Sequence, residues 1–212
     1  LHFTVVRSRS LRTYFGDTEV RAFMVFMLLV ITTAITVLAV WETYPSSGQT
    51  ILHGAFQVIS IGTTTGFTTT GFHWWPSFFP VMLISISAIG GCAGSTAGGM
   101  KMIRFVLLYK QGKREIGQLI HPSALVTVKI GNKPVPDHVI NAVWGFFSLY
   151  ILSYVGLSIA VTATGVDLIT AFSAVTACLN NLGPGLGAVA ENYALLNPVT
   201  KLILTATMLL GR

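Results

Sequence analysis

Residues 61–72 read IGTTTGFTTTGF, with six threonines, three glycines and no charge. The reading of this stretch decides the fold, because it lies between segments far more apolar than itself. Threonine and glycine are poor residues to face lipid. Irregular backbone in hydrocarbon leaves peptide groups unpaired, at a cost of several kcal/mol each. It is tolerated at membrane depth only when buried in protein or lining a water-filled cavity.

The rest of the 212-residue chain sets that context. It is 52% hydrophobic and 9% charged, with a mean hydropathy of +0.71. Soluble domains carry about 25% charged residues, so the composition excludes an ordinary soluble domain and predicts an integral membrane protein, which the lengths of the apolar runs below make all-α. In so apolar a chain, the net charge of +6 points to the anionic inner leaflet rather than to nucleic acid. Cys92 and Cys178 have no metal or redox spacing and read as small packing residues. The chain starts at Leu1 with no evident signal peptide, and it is expected to be part of a longer protein.

Two uncharged apolar runs, residues 22–41 and about 139–163, match the ~20 residues needed to cross ~30 Å of hydrocarbon. Two others, residues 52–62 (LHGAFQVISIG) and 167–179 (DLITAFSAVTACL), are too short to cross and suit helices that dip in and return. Each is followed by glycine-containing irregular sequence, TTTGFTTTGF after the first and NNLGPGLG after the second. Ala22 precedes Ala55-Phe56 by 33 residues, and His138 precedes Ala171-Phe172 by the same 33. Gly66 follows Phe56 by 10 residues and Gly183 follows Phe172 by 11. The chain thus holds a weak repeat of span, short helix, loop and span, as many membrane pores and transporters do.

All thirteen Lys and Arg residues lie outside residues 22–100 and 134–200. The positive-inside rule makes the N-terminal segment and the stretch after Met100 cytoplasmic. The two glycine loops then enter from outside, and Trp74, Trp75, Tyr44 and Tyr193 fit an outer interfacial belt. Loops with so little side-chain bulk can point backbone carbonyls at a shared axis, where they replace the hydration shell of a monovalent cation. A short helix aiming its C-terminus there adds the negative end of its dipole. The loops contain no carboxylate, which argues against a divalent site. The other reading is a plain extracellular loop.

Further on, residues 90–99 read GGCAGSTAGG. A continuous helix over residues 78–110 would be nearly 50 Å long at ~1.5 Å per residue, so a break at this run is expected. It serves either as a mobile gate below the carbonyl loop or as a small-xxx-small packing face. The final segment, NPVTKLILTATMLLGR, starts with a proline suited to a first helical turn and is too short to cross. Arg212 is then either intramembrane and functional or snorkelling to the boundary. Asp167 reads as a helix cap. His53, His73, His121 and His138 read as interfacial, and no nucleophile, dinucleotide or phosphate-loop pattern stands out.

Three motifs in order, FQVISIGTTTGFTTTGF, GGCAGSTAGGMK and NNLGPGLG, resemble the membrane subunit of Trk-type bacterial potassium uptake systems, in the Trk/Ktr/HKT superfamily. The resemblance implies a multi-pass protein of the bacterial inner membrane, with four span–pore-helix–filter–span repeats arranged as in potassium channels. Two of them are expected here: residues 1–20 as a cytoplasmic entry segment, 21–110 as the third repeat with a broken second span, 111–137 as a cytoplasmic linker, and 138–212 as a truncated fourth repeat. It implies potassium-binding filter segments at Thr64, Thr65, Gly66 and Phe67 and at Asn181, Leu182, Gly183 and Pro184, the latter in uncertain register. It implies a gate at Gly90, Gly91, Gly94, Ser95, Thr96, Gly98 and Gly99, contacted by Arg212. It also implies a homodimer in lipid on a cytosolic nucleotide-binding regulatory ring, with potassium ion bound and no covalent cofactor; no nucleic acid partner is expected. The alternative is a proton- or sodium-coupled secondary transporter; an enzyme is not expected.

Overall fold

The computed structural model describes residues 16–76, 78–121, 127–131 and 133–212. Arg7, Arg9, Arg12 and most of the expected entry segment fall outside the described residues.

Two long helices, α1 (Thr18–Val40) and α5 (Asp137–Thr162), cover the two uncharged runs and extend them by a few residues. At 23 and 26 residues each reaches beyond ~30 Å of hydrocarbon. Both start at the basic end of the molecule, where Arg114 pairs with Asp137 at 2.9 Å. Thr32, Thr33 and Thr36 lie on an exposed part of α1, and each hydroxyl donates to a carbonyl three or four residues back. That bond lets a polar side chain sit on an apolar span without an orphaned donor.

The two short runs become α2 (Ser47–Gly62) and α6 (Leu168–Leu179). The first begins five residues earlier than its apolar run, because Ser46 caps it by accepting from Gly48 N–H. Asp167 caps α6 by accepting from Thr170 N–H at 3.0 Å. Hydrogen bonds from Thr170 hold the Asp167 carboxyl below its usual pKa. The cap therefore contributes above the ordinary carboxylate pKa and is lost as pH falls through the depressed value.

The expected break is present and longer than the glycine run. Helix α3 (Phe79–Ile86) stops before Ser87, and α4 (Met102–Ile120) starts only after Lys101. Helix α4 continues through residue 110, so the expected boundary between third repeat and linker falls inside one helix. Beyond it, a two-residue ribbon, β1 (Lys129–Ile130) with β2 (Lys133–Pro134), leads into α5. Pro198 opens α7 (Pro198–Leu210), capped by Asn197.

The cores follow the repeat. On α1, Met27, Val30, Ala34 and Leu38 form one buried stripe packed with Val58, Ile61, Phe72, Trp75, Phe79 and Leu83. The end of the Met27 side chain lies directly over Gly62, its Sδ 2.8 Å from where a Cβ would stand. A second cluster joins α5, α6 and α7 through Val161, Ala171, Val175, Cys178 and Leu204. Leu182 and Leu186 belong to the first cluster, which ties the two halves together.

The expected aromatic belt needs correction. Trp74 is 83% exposed, but Trp75 is only 4% exposed. Its indole N–H donates to the Tyr44 hydroxyl, which in turn reaches Thr70 Oγ1. Trp74 ends a 3-10 turn (Phe72–Trp74) and Trp75 follows it in extended conformation, so the two indoles point apart and the second turns inward to its hydrogen-bond partner.

Candidate functional site

Helices α2 and α6 end in the same way. Thr64 N–H donates to Ile61 O and Thr65 N–H to Ser60 O; Asn181 N–H donates to Cys178 O and Leu182 N–H to Ala177 O. Thr64 (φ +54°) and Asn181 (φ +52°) are both left-handed, as are Gly66 and Gly183. The second loop's register follows: Thr64 pairs with Asn181, and Gly66 with Gly183. The Ala-Phe landmarks in the sequence are one residue out of this register. A left-handed threonine is a strained outlier, and such strain persists where the surroundings over-determine it.

The loops meet. A Cβ on Gly66 would lie 2.1 Å from Leu182 O and 3.5 Å from Pro184 Cδ. Among the described residues, no donor reaches the carbonyls of Thr64, Thr65, Gly66, Asn181 or Leu182. By contrast, Ser60 Oγ holds Phe67 O at 2.6 Å, and the Tyr193 hydroxyl holds Gly183 O at 2.7 Å. Free oxygens in each loop are thus bounded by one tethered oxygen. Neither helix has a basic residue in its last turn, so their dipole ends favour a cation at the loops.

The backbone beyond the loops is pinned by buried polar side chains. Gln57 Nε2 donates to Thr70 O, and Ser173 Oγ accepts from Leu186 N–H. Asn180, fully buried, donates through Nδ2 to Ser87 Oγ at 2.9 Å and accepts from the Tyr150 hydroxyl at 2.7 Å. It thereby joins the second loop to the break in the α3–α4 pair and to α5. Asn180→Leu will leave a half-buried phenol without its acceptor, at about 1–3 kcal/mol. The full-length protein should melt lower in detergent, and Tyr150→Phe should restore part of the loss.

The segment 90–99 lies directly against these loops. Gly98 N–H donates to Thr64 Oγ1 at 3.0 Å, and a Cβ on Gly98 would sit 1.8 Å from Asn180 O. Gly90 and Gly99 are left-handed and packed on Gly98 O and Ala88 O respectively, and Gly91 packs on Ser95. Gly94, also left-handed, has nothing within 4 Å of a built Cβ. Ser95, Thr96, Gly98 and Gly99 line a cavity of about 600 Å³ with Lys101, Arg104 and Arg212.

Arg212 is exposed, and its side chain makes no hydrogen bond to the segment among the described residues. Lys101 does: its Nζ donates to Ser95 O at 2.9 Å and to Ala97 O. Its neighbour on the cavity wall, Arg104, stacks on the Phe146 ring at 3.8 Å. Asn180, Ser60, Ser173 and Lys101 are not among the site residues expected from the sequence, where Tyr193 reads as a belt residue. Polar residues recurring at three- and four-residue spacing, His53, Gln57 and Ser60 on α2 and Thr170, Ser173 and Thr176 on α6, are the available signal for Ser60 and Ser173.

Two similarly built units, each with a spanning helix, a short helix and a loop with free carbonyls, define a helical membrane transport protein rather than an enzyme. The chain belongs to the TrkH family of cation transport proteins, whose model matches residues 2–212. It is 49% identical over 212 residues to "Trk system potassium uptake protein TrkH" of Salmonella typhimurium, covering all of this chain and 44% of that protein. It is 39% identical to "Trk system potassium uptake protein TrkG" of Escherichia coli, again over 44% of its length. The crystal structure of the potassium transporter TrkH from Vibrio parahaemolyticus superposes with a TM-score of 0.94 at 47% identity, covering 99% of this chain and 45% of that one. The chain therefore spans less than half the length of these relatives.

Proposed function

We propose that this chain forms the third and fourth pore repeats of a bacterial inner-membrane potassium uptake protein. Potassium loses water at a ring of backbone oxygens, to which Thr64, Thr65, Gly66 and Phe67 and Asn181, Leu182, Gly183 and Pro184 contribute two segments. The other segments come from the rest of the full-length protein. The observation that carries this reading is the pair of abutting loops with the same left-handed turn and free carbonyls. Carbonyl rings of this kind are how proteins replace a potassium hydration shell.

Residues 90–99, seated against Thr64 and Asn180, act as the gate below the filter, and Arg212 lines the space beneath. The names of the relatives support potassium as the ion. A homodimer in lipid on a cytosolic nucleotide-binding ring is part of the same proposal, with the basic surface of α4 and the ribbon as its docking face.

The test is rubidium flux into vesicles holding the full-length protein. Uptake driven by membrane potential is expected, and its absence refutes the proposal. Deleting residues 90–99 should raise flux several-fold, and unchanged flux would remove the gate. Proton movement locked to rubidium uptake would instead indicate a coupled transporter.

A further inference from the structure

The segment 90–99 leaves and re-enters the helical scaffold through a narrow neck. Met100 N–H donates to Ala88 O at 2.8 Å and Met102 N–H to Gly91 O at 3.1 Å. A third tie comes from a different part of the chain. Glu19, in the first turn of α1, accepts from Ala93 N–H at 2.6 Å and from Ile103 N–H at 3.2 Å, both at Oε1. These amides lie on opposite sides of the neck, and one oxygen joins them across 74 and 84 residues of sequence.

The chemistry suits the place. Ile103 lies in the first turn of α4, where backbone N–H groups lack intrahelical acceptors. The cap position there, Lys101, supplies no side-chain cap. A carboxylate is favoured at a helix N-terminus by the dipole, and hydrogen bonds to a charged acceptor are short and strong. Among the described residues, Glu19 makes no ion pair, so the two amides are its partners. Glu19 is itself fixed, because its own N–H donates to the Asp17 cap at 2.8 Å.

We propose that Glu19 is a positioning residue that clamps the neck of the 90–99 segment and thereby sets its closed position. The clamp stands on geometry alone; its effect on transport rests on the gate reading above.

The experiment measures two quantities in the full-length protein. The first is amide hydrogen exchange in a peptide covering residues 91–103, with residues 168–179 as control. Glu19→Ala should speed exchange at the neck at least about fivefold, the signature of local opening, and leave the control unchanged. Glu19→Gln, which keeps an acceptor without the charge, should fall between. Unchanged exchange at the neck overturns the clamp, and equal acceleration in the control reduces Glu19 to general stability and overturns it as well.

The second quantity is rubidium flux. Glu19→Ala should raise flux, and adding it to the deletion of residues 90–99 should raise flux no further. Additivity, or no rise from Glu19→Ala where the deletion raises flux, overturns the link to gating. If the deletion itself leaves flux unchanged, the gate reading fails, and the exchange result alone decides the clamp.

Discussion

Replacing Gly66 by serine in the full-length protein should collapse the preference for potassium over sodium that the proposed filter confers. Two effects act at this position. The backbone φ of +82° costs a residue bearing a Cβ about 1–2 kcal/mol. The more severe is steric, since the new Cβ would lie 2.1 Å from Leu182 O, well inside contact distance. The neighbour is a backbone carbonyl that cannot swing away as a side chain can. Either the Gly66 peptide turns over or the two loops separate, and both outcomes displace free oxygens assigned to the ion. A differential loss of about 1.4 kcal/mol is already tenfold in the ratio, so the potassium-to-sodium flux ratio should fall at least tenfold. Gly66→Ala should behave similarly, because the clash is with the first side-chain atom. A wild-type ratio in either variant would end the filter assignment.

The same position shows how far the sequence could be read. The glycine of TTTGF was legible as a backbone requirement, as were the spans, the short helices, the Asp167 cap and the helix break, because each is written in local composition. The second loop's register was not. Matching Ala55-Phe56 to Ala171-Phe172 puts the helices one residue out from the loops they lead into, and only the paired left-handed residues, Thr64 and Asn181, restore the count. Trp75 and Tyr193 were placed by residue type, whereas long-range hydrogen bonds to Tyr44 and Gly183 decide where they point. Glu19 carries no signal in the sequence, because its partners arrive from across the fold. Lys101 looked like one more inside-positive charge, yet its ammonium group folds back onto the carbonyls of Ser95 and Ala97. For Glu19, Lys101, Trp75 and Tyr193, whose roles depend on tertiary contact, the sequence carries no periodic signal.

Gly98→Ala will separate gating from selectivity. Its Cβ would meet Asn180 O at 1.8 Å and Asn180 C at 2.5 Å, so either the segment or the second loop must move. Asn180 is anchored on two sides, by Ser87 and Tyr150, and α6 holds its backbone from above through Thr176 O. The segment is held at this point by the Gly98–Thr64 hydrogen bond and has Gly99 beside it and Gly94 four residues before it to take up the displacement. The segment should therefore be the part that yields, drawing Gly98 N–H away from Thr64 Oγ1. Loss of one net hydrogen bond of about 1 kcal/mol moves a closed–open equilibrium about fivefold. Rubidium flux should rise by about that factor while the potassium-to-sodium ratio stays at the wild-type value. Unchanged flux would mean that residues 90–99 do not obstruct the route. A fall in the ratio, like that expected for Gly66→Ser, would mean that the second loop yielded instead and that Asn180 is the weaker anchor.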